Sequence, residues 1–517
     1  MNLVDLVYKN ARTYPDKPAF VELRPASKLK KGVTWKEFNE RTNRLANALA
    51  ARGIKRGERV FLLGRNSLPW VEVFFGVTKL GAWITPLNFR FTKENVEYCG
   101  RVAEPAAFIF DEEFAPIVHE VQGSLSSIQE RLCIGTSNSG FVTTDELIGS
   151  APSTQPAPAP ADEEECGLYF TSGTTGTPKP ILLLHKNLFC TAVNEVTNLR
   201  LTQEDSLLMI PPLYHLAIGH MLGSMLAGAK TALLTEAVSP QYIFEAVQDE
   251  EIRVVFLLVP WALDILEGLD KATLKQDEYR LDHWRVVEMG AQPIPASLVE
   301  RWKGYFPRMA FNNTFGLSES SGPGTINLGL GNERKIGAIG KPGLLWDARI
   351  VNEHDEDMPV GEVGEIILKG MGVMKEYYKN KELTAQALRN GWLHTGDLGR
   401  MDEEGFIYLV DRKKDLVISG GENIFPVEVE GVILKHPKVR DVAVIGTEDK
   451  RLGEAVTAVI EAVPGEILTE EEIKAFCEEH LPRYKRPRRI IFDSVPRSGT
   501  GKIEKPKLRA KYSKQRG

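Results

Sequence analysis

The chain has 517 residues, 43% of them hydrophobic and 26% charged, and a formal net charge of −6. That length exceeds one ordinary core and predicts two or more domains. The balance is that of a soluble globular protein, and without a global basic field it argues against a nucleic-acid binder.

The opening MNLVDLVYKN carries an early acid and no long apolar core, so it does not read as a signal peptide. Val33–Gly53 predicts an amphipathic helix, with Trp35, Phe38, Leu45, Ala46 and Leu49 at helical spacing. Gly57–Gly64 predicts a buried strand, Asn66–Gly81 a helix and Ala82–Leu87 the next strand. This alternation implies α/β layers with largely parallel sheets. Ala151–Glu165, rich in Pro and Ala and then acidic, reads as a loop or short linker. It runs into a short apolar strand, Gly167–Phe170, and a Gly/Thr-rich loop.

A second α/β alternation fills Ser206–Asn313. Its most apolar stretch, Val254–Leu263, is interrupted by Pro260 and is too short to span a bilayer, so it reads as buried strand or core helix. From Gly340 to Val410, short strands with glycine turns (Gly361–Gly370, Gly405–Val410) predict a small antiparallel β region. The C-terminal stretch reads as a separate α+β unit. Asp441–Gly446 and Val456–Ile460 are strand-like, and Thr469–His480 is a helix opened by the capping box Thr469/Glu472. Cys99, Cys133, Cys166, Cys190 and Cys477 are scattered without a C-x-x-C pair, which predicts reduced thiols in a cytoplasmic protein. Leu481–Gly517 holds thirteen Lys/Arg against two Asp/Glu. That is either a solvated basic tail or a landing surface for a polyanion, with no aromatic platform for nucleic acid.

The most informative motif is Thr171, Ser172, Gly173, Thr174, Thr175, Gly176, Thr177, Pro178, Lys179. Its glycines let backbone N–H groups converge on an anion, and its hydroxyls and lysine add donors, so pyrophosphate is the natural guest. Walker A loops end in G-K-[ST]; here Pro178 precedes Lys179, so this is not a standard P-loop.

With this loop and the motifs below, the sequence resembles the adenylate-forming (AMP-binding) enzymes over nearly its whole length, in the acyl- and aryl-CoA synthetase branch. The resemblance implies an α/β fold. A large N-terminal domain (1–411) would hold mixed and parallel sheets with helices plus a small β region. A hinge at 412–414 would lead to a small mobile α+β C-terminal domain (415–517). His215, in P-L-Y-H-L-A-I-G, resembles the residue beside the substrate carboxylate. Gly290, Ala291 and Gln292 resemble the backbone that frames adenine. In Asn313, Thr314, Phe315, Gly316, Leu317, Ser318, Glu319, the resemblance puts Phe315 on adenine and Glu319 on Mg²⁺ with Thr171, a role suited to hard oxygen ligands. Asp397 resembles the aspartate that accepts from both ribose hydroxyls, and Arg412 its partner at ribose and phosphate. Lys414 falls at the hinge, and Gly420 and Gly421 match the lining of a pantetheine tunnel. Lys502, in S-G-T-G-K, resembles the lysine delivered to the developing charge between carboxylate and α-phosphate. Tyr484, Arg486 and Arg488 resemble a patch for the CoA nucleotide.

The implied activity is ATP-dependent acyl-CoA ligation through an acyl-adenylate, with ATP, Mg²⁺ and CoA as cofactor and co-substrates. The partners implied are small molecules, with no nucleic acid and no transmembrane segment; a homodimer stays open. Apolar pocket candidates (Tyr214, Ala217, Ile218, Met289, Phe315) lean towards medium-chain fatty or aryl/cycloalkyl acids. The alternative is an adenylating enzyme that loads a carrier protein. Two departures stand out: Pro180 where the family has glycine, and Leu452 where some relatives have tryptophan.

Overall fold

The computed structural model describes the chain except residues 136, 138, 172–177, 291–293, 328–333, 498–501 and 514–517. The first predicted helix runs Trp35–Ala51. Thr34 caps it: Glu37 N–H donates to Thr34 Oγ1 at 3.2 Å, and Thr34 N–H donates to Glu37 Oε2 at 2.8 Å. Its buried face (Trp35, Phe38, Leu45, Leu49) packs into the largest apolar core. Such a stripe stabilises a helix more than intrinsic propensity does.

Among the described residues, the chain up to Arg412 builds three sheets. In the first, Trp83–Pro86, Arg59–Leu63, Ala107–Asp111 and Glu130–Ile134 run parallel, and Trp83–Pro86 pairs parallel with Glu165–Thr171. Lys179–Leu184 then returns antiparallel to Glu165–Thr171, and the short strand Glu376–Tyr377 closes that edge. The second is parallel through Ala310–Asn313, Val286–Met289, Val254–Leu257, Ser206–Met209, Lys230–Leu234 and Pro18–Arg24. The third is antiparallel, as the glycine turns predicted, and includes the neighbours Leu393–Met401 and Ile407–Arg412.

Val254–Leu263 resolves into both of its readings. Val254–Leu257 is a buried strand, and Pro260 stands in the first turn of helix Val259–Asp270, where a missing N–H costs nothing. No helix among the described residues is long and apolar enough to cross a membrane. All five cysteines are buried free thiols.

The last segment carries its own sheet and core. Val417–Ser419, Glu422–Ile424, Val439–Asp449, Gly453–Ala462 and Arg489–Phe492 form the sheet. Helices Pro426–Ile433 and Glu470–His480 bury Val429, Ile433, Ile473 and Cys477 against it. The Thr469/Glu472 capping box is present as predicted.

Candidate active site

The phosphate-loop motif bridges two antiparallel strands whose ends, Thr171 and Lys179, are direct cross-strand partners. Ser172–Thr177 lie outside the described residues, as do Ala291 and Gln292. Pro180 occupies a strand position, where its carbonyl accepts from Tyr378 N–H at 2.8 Å. The departure from glycine is thus absorbed near a strand start, a place that tolerates proline.

Lys179 Nζ lies 5.4 Å from the centre of the Tyr377 ring. The Tyr377 hydroxyl donates to Glu319 Oε1 at 2.6 Å. One aromatic residue therefore links the end of the loop to the acid expected at the metal. Burial and the adjacent Glu319 charge push the Tyr377 phenol well above its ordinary range, so it stays a donor. The sequence reading missed Tyr377. Only the pairing of Glu376–Tyr377 against Ile181 and Leu182 brings it here, and nothing in K-E-Y-Y-K-N signals that pairing. Tyr377→Phe is expected to raise the apparent KM for MgATP about ten-fold, since a hydrogen bond to a charged group is worth roughly 1.5–3 kcal/mol. A steady-state titration of MgATP checks it; unchanged constants would remove Tyr377 from the site.

Asp397 and Arg412 are opposite each other on adjacent antiparallel strands. Arg412 Nε lies 3.1 Å from Asp397 Oδ1. Asp397 is 3% exposed, and burial raises its pKa while Arg412 and Lys502 oppose the shift. Gly290 meets the Asn313–Gly316 segment closely: a Cβ there would fall 3.1 Å from Thr314 Oγ1. Asn313 Nδ2–H donates to Ala338 O, and Thr314 is buried. Phe315 packs among Ile339, Trp346 and Ile366. Gly316 is required sterically, because a Cβ would strike Gly322 O at 1.9 Å. Ser318 opens a short turn that presents Glu319, half-buried.

Lys502 reaches this group from the last segment, within electrostatic range of Arg412, Asp397 and Glu319. Its segment is anchored on both sides: Arg497 pairs with Asp441 at 2.7 Å, and buried Lys505 pairs with Glu430 at 2.8 Å. Lys502 is exposed to solvent, although much of the surrounding volume is protein. Burial pulls its pKa down to about 8; Arg412 adds to the shift, and Asp397 and Glu319 oppose it. His215 lies in the irregular turn Leu213–Ala217, its ring 4.2 Å from that of Tyr214. Burial, with the nearby Lys502 charge, lowers its pKa to about 3, so it is neutral at pH 7.

Not every expected residue converges here. Gly420 and Gly421 form the two-residue turn between Val417–Ser419 and Glu422–Ile424, with φ of +62° and +87°. Two positive φ values are what such a hairpin turn asks for, and glycine meets them without strain. This hairpin is exposed on the last segment, with Ile418 53% exposed. Lys414 is exposed just before it. Tyr484 and Arg488 are also exposed, whereas Arg486 donates to Leu481 O and Glu478 O at the end of helix Glu470–His480. Arg486 thus satisfies helix-end carbonyls that would otherwise lack donors.

Known proteins resemble this chain over most of its length. The family description "AMP-binding enzyme" matches residues 7–378, and "AMP-binding enzyme C-terminal domain" matches residues 428–502. A feruloyl-CoA synthase of Amycolatopsis sp is 34% identical over 486 residues, covering 93% of this chain and 94% of that protein. The long-chain-fatty-acid–CoA ligase FadD13 of Mycobacterium tuberculosis (strain CDC 1551 / Oshkosh) is 30% identical over 516 residues, covering 99% of each. The crystal structure of the anthranilate CoA ligase AuaEII in complex with anthranoyl-AMP superposes with a TM-score of 0.90 at 28% identity, covering 99% of this chain and 97% of that one. The chain belongs to the AMP-binding enzyme family, in its acyl- and aryl-CoA synthetase branch, and is an acid–thiol ligase.

Proposed function

We propose that the chain makes acyl-CoA from a medium-chain fatty, aryl or cycloalkyl acid in two half-reactions, with Lys502 serving the first. A carboxylate oxygen of the acid attacks the α-phosphorus of ATP. The bond to the β-phosphate oxygen breaks, pyrophosphate leaves, and an acyl-adenylate remains. The thiol of CoA then attacks the acyl carbon; the carbon–oxygen bond to AMP breaks, AMP leaves, and the thiol proton passes to solvent. The observation that carries this reading is the placement of Lys502, from the C-terminal segment, within range of Asp397, Arg412 and Glu319.

In this reading Asp397 and Arg412 hold the ribose, and Gly290 with Asn313–Gly316 borders the adenine. Thr171–Lys179 grips the polyphosphate. Neutral His215 lies beside the substrate carboxylate and adds no competing charge there. The donors fit Mg²⁺: the half-buried Glu319 carboxylate and the Thr171 hydroxyl are hard oxygen ligands, and bound Mg²⁺ would supply charge neutralisation on the phosphates. The domains divide at 412–414. Rotation there would withdraw Lys502 and bring the Gly420–Gly421 hairpin to the cleft for the thiol, with exposed Tyr484 and Arg488 serving the CoA nucleotide. The acyl preference rests on the apolar character of Tyr214, Ala217, Ile218 and Met289, and on relatives whose names span an aromatic acid and a long-chain fatty acid.

The test is a panel of such acids assayed for AMP and pyrophosphate with and without CoA. A CoA thioester with stoichiometric AMP is expected from an apolar acid. Pyrophosphate exchange without any CoA thioester would sink the reading and favour a carrier-protein acceptor.

A further inference from the structure

A second chemical cluster lies outside the nucleotide contacts. Glu195 comes from helix His185–Leu199, His220 from helix Ile218–Ala227 and Glu288 from strand Val286–Met289. Glycine makes their approach possible: a Cβ at Gly223 would fall 2.3 Å from the Cβ of Glu195. The two helices therefore touch backbone to side chain, with Glu195 beneath His220. The His220 ring also packs 4.1 Å from the Phe256 ring, which limits its rotation.

Glu195 and Glu288 are 0% exposed and His220 is 7% exposed. Two buried carboxylates need compensation, because desolvating them costs several kcal/mol each. Among the described residues no lysine or arginine pairs with either. His220 Nδ1 is their shared neighbour, at 3.1 Å from Glu195 Oε1 and 3.3 Å from Glu288 Oε2. Neither contact has hydrogen-bond geometry. His220 Nδ1, both Glu195 oxygens and Glu288 Oε2 are buried with no hydrogen-bond partner among the described residues. Asn312 Nδ2–H donates to Glu288 Oε1 at 2.9 Å, which leaves Oε2 as the oxygen turned to His220.

We infer that Glu195, His220 and Glu288 form a binding site for one divalent transition metal of the zinc class, separate from any metal on the ATP phosphates. The spacing fits. Zinc bonds to His nitrogen and carboxylate oxygen are about 2.0–2.2 Å, so tetrahedral ligands stand roughly 3.3 Å apart. The three ligand atoms lie within 4.8 Å of one another, and two of the separations are 3.1 and 3.3 Å. The charge fits as well: two carboxylates, a neutral imidazole and a dication sum to zero. A mixed nitrogen and oxygen donor set suits zinc or cobalt and disfavours soft monovalent copper. Asn312 is the outer partner that orients a ligating carboxylate. Such a metal would tie the helix that follows His215 to the strand that leads into Gly290. The inference does not depend on the acyl substrate or on CoA.

The test uses the full-length enzyme, without an affinity tag and without nucleotide, stripped by a chelator. It is then loaded with Zn²⁺ or Co²⁺ and passed through gel filtration. One equivalent of metal per chain, a rise in Tm and a Co²⁺ visible absorption band are expected. Glu195→Gln and Glu288→Gln keep side-chain shape, and each should weaken Zn²⁺ binding at least about 10–100-fold. Circular dichroism checks their fold. Stripped, folded wild-type enzyme that retains no equivalent would overturn the inference and leave a proton-sharing triad. Folded variants that retain as much metal as the wild type would overturn it too.

Discussion

Replacing Lys502 by alanine is expected to slow adenylation about 10²–10³-fold, the usual cost of removing one group aimed at developing charge. Thioester formation from pre-made acyl-adenylate should fall far less. In the first half-reaction a carboxylate approaches a polyanion, and charge builds between them in the transition state. Lys502 is the cation that the C-terminal segment brings to Asp397, Arg412 and Glu319. In the second half-reaction a thiol attacks a neutral acyl carbon, and this cation has no comparable charge to meet. Equal losses in both half-reactions would refute the division of labour.

The same residue sets an alkaline limb. The Lys502 pKa is pulled down to about 8, mainly by burial. The ammonium is the useful form, so adenylation measured as kcat/KM should be full below this value and should fall as pH rises through it. Bound ATP adds negative charge beside the ammonium, so the matching limb in kcat should lie at higher pH. Lys502→Arg, charged throughout this range, should flatten the limb even where its rate is low. A limb unchanged in Lys502→Arg would assign it to another group.

Asp397→Asn is expected to cost roughly 10²–10³-fold in kcat/KM for ATP. The carboxylate accepts from two ribose hydroxyls in the proposed mode, and hydrogen bonds to charged groups are worth about 1.5–3 kcal/mol each. The substitution also leaves Arg412 without the anion 3.1 Å away. A sharper readout is 2′-deoxy-ATP. Wild type should discriminate strongly against it, and the variant should discriminate much less. If the variant retains full discrimination, the ribose is read elsewhere.

How far the sequence carried the reading differed from residue to residue. Asp397 and Arg412 were legible as motifs, and the antiparallel region between Gly340 and Val410 was legible from its glycine turns. Together these explain why the two residues meet across adjacent strands. Val254–Leu263 was ambiguous because a short apolar run has no period to separate strand from helix, and Pro260 supplies the boundary. Tyr377 was invisible, since a two-residue edge strand carries no pattern. Glu195, His220 and Glu288 were also missed. Glu195 stands in a helix of mixed polarity, and His220 and Glu288 in largely apolar elements, so no motif marks them; only packing of three separate elements brings them together. Arg486 was legible as part of a basic patch, but its work at the end of a helix depends on local geometry that charge counting does not show.

The Tyr377 ring has a consequence for how nucleotide enters. It lies between Lys179, at the end of the phosphate loop, and Glu319, the acid proposed for the metal. Without this spacer the two opposite charges could collapse onto each other and neutralise the cavity in advance. The ring gives the cation a face to rest on and the anion a proton donor, so each is held without spending its charge on the other. An arriving triphosphate and its counter-ion then meet both groups, with no ion pair between Lys179 and Glu319 to break among the described residues.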